Sequence, residues 1–141
     1  MLNVFMPLHP KLVHFPIALF ATALIFELLG RFCKKELISQ AAVLIYVFAA
    51  VFTPMVVLSG LAEQARLHLN HPFMTQHKNL GLLTLGIALS SLPVLWWCHK
   101  NLPKFFPNIF LLVLIAVTTT VLLTSHFGGK MVYDYAVGVN L

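Results

Sequence analysis

The stretch SQAAVLIYVFAAVFTPMVVLSGLA, from Ser39 to Ala62, contains no charged side chain and decides the fold. A helix needs about 20 mostly apolar residues to cross a bilayer. Three further stretches meet this condition, so the sequence predicts four spans at roughly Pro10–Phe32, Ser39–Ala62, His77–Cys98 and Pro107–His126. The runs are continuously apolar and not alternating, which favours helices over the strands of a membrane barrel.

The connections between these spans are short and polar, which forces neighbouring helices to run antiparallel. We therefore expect an all-α protein, an integral membrane four-helix antiparallel bundle, with residues 1–141 in a single domain. The composition agrees, because 60% of the residues are hydrophobic and 9% are charged, against about 25% charged in soluble domains. The lipid bilayer is the expected partner. The nine basic residues are scattered and form no patch, so nucleic acid is not an expected partner.

The sidedness of the bundle follows from its Lys and Arg residues, which favour cytoplasmic loops. The first and third connections carry Arg31, Lys34, Lys35, Lys100 and Lys104, and the other four basic residues lie on the opposite side. This bias predicts that both termini are periplasmic. The oligomeric state is left open.

Two local patterns predict structure near the ends of the spans. Glu27 precedes Arg31 by four residues, which places both on one helical face as an ion pair. Gly128 and Gly129 follow the fourth span, and glycine commonly ends a helix. We therefore expect the last helix to stop before these glycines.

The histidines are the most informative polar residues. Of the seven, the four-span layout places all but His99 at one membrane surface. His14 lies about one turn inside the first span, His77 opens the third and His126 closes the fourth, so three helices bring an imidazole to a similar depth. Small residues such as Gly81 follow at helical spacing, which leaves room either for close helix packing or for a flat cofactor.

Three chemistries fit these histidines. Two of them can ligate a b-type haem iron, three or four with Glu63 can bind zinc or copper, and a cluster can sense pH. The leading hypothesis is haem b and electron transfer, with His14 and His77 as axial ligands and His126 as the alternate. A bundle without a cofactor, acting as a structural or assembly subunit, is the remaining alternative. The residues expected at a cofactor site are His9, His14, Phe15, Gly81, His77, His126 and Tyr133; those expected at a metal site are His9, His14, Glu63, His77 and His126.

Several short segments resemble a known family. They read LHPKLVHFPIAL from Leu8, SGL from Ser59, HKNLG from His77 and GGKMVY from Gly128. Together they resemble the bacterial inner-membrane family catalogued as domain of unknown function 2231. The resemblance implies a compact four-helix domain in the bacterial inner membrane. Some relatives are joined to Rieske-type iron–sulfur domains, which implies electron transfer with a redox partner protein.

Overall fold

The computed structural model describes residues 8–67, 72–102 and 104–136. These residues form one short helix and four long ones, and no strand is found in these ranges. The helices are α1 (Leu8–Leu12), α2 (His14–Phe32), α3 (Glu36–Leu67), α4 (Pro72–Asn101) and α5 (Phe106–Tyr133). Two of the seven histidines, His68 and His71, lie outside the described residues.

The first predicted span is broken at Val13, between α1 and α2. Proline has no backbone N–H, so Pro16 donates no hydrogen bond to the carbonyl of Leu12, its helical partner four residues earlier. The helical hydrogen bonds on either side of this position are kept: Val13 N donates to His9 O at 3.1 Å, and Ile17 N donates to Val13 O at 3.4 Å. The backbone at Val13 stays in the helical region (φ −62°, ψ −27°), so α1 and α2 follow one another with only one hydrogen bond of the ladder missing.

The four long helices close into a ring. Helix α2 packs mainly against α3, and α4 packs mainly against α5; contacts of α2 with α5 and of α3 with α4 complete the bundle. Helix α1 lies against α3 and α2. The predicted all-α four-helix architecture is confirmed. We call the end formed by α1, the C-terminal ends of α3 and α5, and the N-terminal end of α4 the histidine end.

The interior is a single core with an aromatic centre. Tyr46 is fully buried, and its ring centre lies 5.7 Å from that of Phe20 and 5.6 Å from that of Phe110. Its hydroxyl hydrogen bonds with Ser91 Oγ and donates to Ala88 O. A phenol in an apolar core needs such partners. This contact therefore ties α3 to α4 at mid-bundle.

The outer surface of the bundle is apolar. Four helices are long and apolar enough to cross a membrane, at Leu8–Phe32, Glu36–Arg66, Pro72–Asn101 and Phe106–Tyr133. Large side chains such as Phe32 (83% exposed) and Leu44 (73% exposed) point away from the core. A soluble protein does not cover itself in this way, so these side chains face lipid.

The prediction that the last helix ends before Gly128 and Gly129 is wrong. Helix α5 does not stop before the glycine pair but runs through it to Tyr133. A glycine in a helix costs about 1 kcal/mol relative to alanine, so Gly128 needs a reason to be there. That reason lies in a close contact with α4, described below.

The predicted ion pair is present and also ties two helices together. Arg31 Nε lies 2.7 Å from Glu27 Oε1, and the Glu27 side chain is only 2% exposed. Arg31 also donates to Asn108 Oδ1 at 3.1 Å and to the carbonyl of Pro107, at the start of α5. One guanidinium thus compensates a buried carboxylate and holds α2 against α5.

Removing Arg31 is expected to destabilise the bundle more than removing both charges. In Arg31→Met the Glu27 carboxylate stays buried without its partner, which costs about 3–5 kcal/mol. The double variant Glu27→Gln/Arg31→Met removes the unpaired charge and should recover part of this loss. Thermal unfolding in detergent measures both. If the loss in the double variant equals the sum of the losses in Glu27→Gln and Arg31→Met, the two residues are not coupled.

Candidate functional site

The histidine end brings two imidazoles together. His9, on α1, and His77, on α4, have ring centres 5.9 Å apart, and their ring planes are nearly perpendicular at 84°. Both side chains are half-buried. The residues are far apart in the chain and reach each other only because α1 folds against α3 beside the start of α4.

Each ring of this His9–His77 pair is held through its Nδ1 atom. His9 Nδ1 donates to the carbonyl of Val56 at 3.1 Å and lies 3.0 Å from Ser59 Oγ. His77 Nδ1 donates to the carbonyl of Thr124 at 2.8 Å. A carbonyl oxygen only accepts, so Nδ1 carries the hydrogen in both rings. In the neutral rings, Nε2 is then a lone-pair donor, and within the described residues no hydrogen bond reaches it.

Each ring also lies against a glycine of a neighbouring helix. A Cβ atom placed on Gly60 would come within 2.7 Å of His9 Cε1, and one placed on Gly128 would come within 3.0 Å of His77 Cε1. Both distances are shorter than ordinary carbon contacts of about 3.5–4.0 Å. Gly128, which lies near the C-terminal end of α5 and was predicted to follow the helix, therefore makes room for His77.

A cavity of about 620 Å³ lies beside the pair. Its volume falls within the range of about 300–1,000 Å³ that is typical of small-molecule pockets. The walls come from all five helices and are mostly apolar, with a few hydroxyls and charges. Representative lining residues are Ile17, Thr53, Val56, Thr84, Val121 and Met131. The geometry is that of a mainly apolar pocket with three imidazoles in its wall, those of His9, His14 and His77.

All the segments that form this site lie within the part of the chain that one family model matches. The family model with the description "Predicted membrane protein (DUF2231)" matches residues 5–141. The chain belongs to the DUF2231 family. No curated protein and no solved structure matches it. In this DUF2231 chain the His9, Ser59–Gly60, His77 and Gly128 segments meet at one end of the bundle.

The structure places the ring of His9, and not that of His14, next to His77. His14, the expected axial ligand, is exposed, and its Nδ1 donates to Pro10 O at 2.7 Å on its own helix turn. His14 lines the cavity, but in the described part of the chain no ring contact joins it to His77. His126, the alternate, is exposed, and its ring packs against Phe127 instead.

The other residues expected at the DUF2231 site divide into two groups. Gly81 and Tyr133 line the cavity, although the Tyr133 side chain is 88% exposed. Phe15 does not line it; its ring is 55% exposed and packs against Phe52 with ring centres 5.5 Å apart. Ser59, Gly60 and Gly128 were not expected at the site, because their contacts with the histidines join segments that are distant in the chain.

The three- or four-ligand metal site considered above is not formed by residues 8–67, 72–102 and 104–136. These ranges contain no group of three or more His, Cys, Asp or Glu side chains placed to hold a metal ion. Glu63 lines the cavity, but its Oε1 lies 2.5 Å from Arg66 Nη2. The DUF2231 site thus offers a pair of imidazoles rather than a complete metal-binding shell.

Proposed function

We propose that this small membrane protein binds a b-type haem between His9 and His77 and uses it for electron transfer. The observation that carries the proposal is the 5.9 Å distance between the ring centres. Metal–imidazole bonds of about 2.0 Å place the centres of two opposed rings about 6 Å apart. The perpendicular ring planes are compatible with this, because each plane contains the metal–nitrogen axis and can rotate about it.

The hydrogen bonds of the pair support a Lewis acid as the bound group. Ligating histidines commonly donate their other ring N–H to a carbonyl or carboxylate, which fixes the tautomer and the ring orientation. Both rings meet this condition through Val56 O and Thr124 O. A ligand that offers only hydrogen-bond acceptors, such as a quinone, gains nothing from two neutral Nε2 lone pairs.

The small number of ligands favours haem over a bare metal ion. Zinc in proteins usually takes three or four protein ligands, whereas a haem iron held by the porphyrin needs only two axial ones. The apolar walls around Ile17, Val56 and Val121 suit a porphyrin, which is flat and largely apolar. His9 and His77 would hold the haem iron, and the group would supply one-electron redox chemistry there, so electron transfer is the function we propose.

The deciding experiment is an absorption spectrum of the full chain, purified without a histidine tag from cells supplied with haem precursor. We expect a Soret band, a sharp reduced-minus-oxidised difference spectrum of a six-coordinate haem, and roughly one haem per chain. Metal analysis of the same sample should find iron. A colourless protein, or one with stoichiometric zinc or copper and no haem, would overturn the proposal.

A further inference from the structure

Lys78 is a cationic residue in the wall of the cavity. It follows His77 on α4, is half-buried and lines the cavity together with Glu63. An ammonium group beside apolar walls is costly unless an anion or water compensates its charge. The charges around it therefore decide what the cavity can bind.

The nearby acid is already engaged. Glu63 lies 2.5 Å from Arg66, so its carboxylate has a cation of its own. Within the described residues, neither a salt bridge nor a hydrogen bond is made to Lys78. The adjacent His77 ring donates from Nδ1 to a carbonyl and carries no negative charge. Lys78 is therefore the one lysine or arginine among the lining residues, and its ammonium has no carboxylate partner in the described part of the chain.

We infer that Lys78 binds an anionic oxygen group, a carboxylate, on the ligand that lies between His9 and His77. This inference rests on the proposed function and adds the ligand's polarity: an apolar body with an acidic edge turned towards Lys78. A charge-assisted hydrogen bond to a carboxylate is stronger than one between neutral groups. A phosphate of a lipid headgroup offers the same anionic oxygens, and the experiment separates the two sources.

The test compares haem b with its dimethyl ester, in which both carboxylates are masked. Full-length protein is titrated with each form in nanodiscs of zwitterionic lipid, and again in nanodiscs that also contain anionic lipid. We expect the wild type to bind the free acid about tenfold more tightly than the ester. Lys78→Gln should remove this preference and Lys78→Arg should keep it. Lys130→Gln is the matched control, because Lys130 lies over the Phe73 ring at 5.3 Å and does not line the cavity.

Each outcome decides the inference. If Lys78→Gln keeps the preference for the free acid, or weakens both forms equally, Lys78 does not bind the ligand carboxylate. If its only effect is a changed dependence on anionic lipid in the nanodisc, a headgroup phosphate is the partner and the inference is overturned. If the wild type binds neither form, the proposed function fails together with this inference. If the wild type binds both forms equally, only the inference about Lys78 is refuted and the proposed function stands.

Discussion

Glutamine at either His9 or His77 is expected to abolish the six-coordinate haem spectrum, whereas glutamine at His14 or His126 should leave it intact. The ring centres of His9 and His77 lie 5.9 Å apart. His14 and His126 are exposed; the first is hydrogen-bonded to Pro10 O and the second packs against Phe127. Loss of a second-shell partner of a metal ligand typically lowers affinity about 10–100-fold. Loss of the ligand itself should therefore lower haem affinity at least about a hundredfold.

The measurement is a haem titration of each variant in detergent, followed by reduced and oxidised spectra. Far-ultraviolet circular dichroism checks that the helices are intact, since a misfolded bundle would also lose haem. All four variants replace a histidine by glutamine at the histidine end of the bundle. The His14 and His126 variants therefore serve as controls for the His9 and His77 variants. If His14→Gln loses haem and His9→Gln keeps it, the ligands are His14 and His77, and the arrangement of α1 described above is not the one that binds haem.

The fold could be predicted from the sequence because the bilayer leaves few alternatives. Four apolar runs joined by short connections admit only an antiparallel helical bundle. The helices nevertheless extend beyond the predicted spans: α3 begins at Glu36 and ends at Leu67, where the prediction gave Ser39–Ala62. Hydropathy marks the part of a helix that lies in lipid, whereas the hydrogen-bond ladder continues through polar residues at the surface.

The choice between His9 and His14 could not be made from periodicity. Counting along one unbroken helix places His14 one turn inside the bundle and His9 at its edge. Depth along the helix does not show which side chain meets a neighbouring helix, and the structure packs His9 against Gly60 while His14 stays exposed.

The contacts with glycine were beyond sequence reasoning for a different reason. Gly60 touches His9 and Gly128 touches His77, and each contact joins segments on different helices. A single sequence contains no signal for such pairs. Seen alone, the Gly128–Gly129 dipeptide indicates the end of a helix, and only the packing of α4 on α5 shows why the helix continues through it.

Alanine at Gly60 is expected to lower haem affinity at least about tenfold while leaving the bundle as stable as before. A new Cβ would lie 2.7 Å from His9 Cε1, which forces the ring away from its position. Gly128→Ala should act in the same direction but less strongly, since its Cβ would lie 3.0 Å from His77 Cε1. Haem titration measures the affinity, and thermal unfolding of the haem-free protein measures the stability.

Gly86 supplies the matched control, because nothing lies within 4 Å of a Cβ placed there. All three glycines are helical, and alanine favours a helix over glycine by about 1 kcal/mol. Gly86→Ala should therefore raise stability without changing haem affinity, whereas at Gly60 the gain in helix propensity is offset by the contact with His9. If Gly60 positions His9, then Gly60→Ala lowers the haem affinity and Gly86→Ala does not. A role in helix packing alone predicts no such difference. Equal affinities for the two variants would show that His9 does not need its place against Gly60, and would leave that glycine a role in helix packing alone.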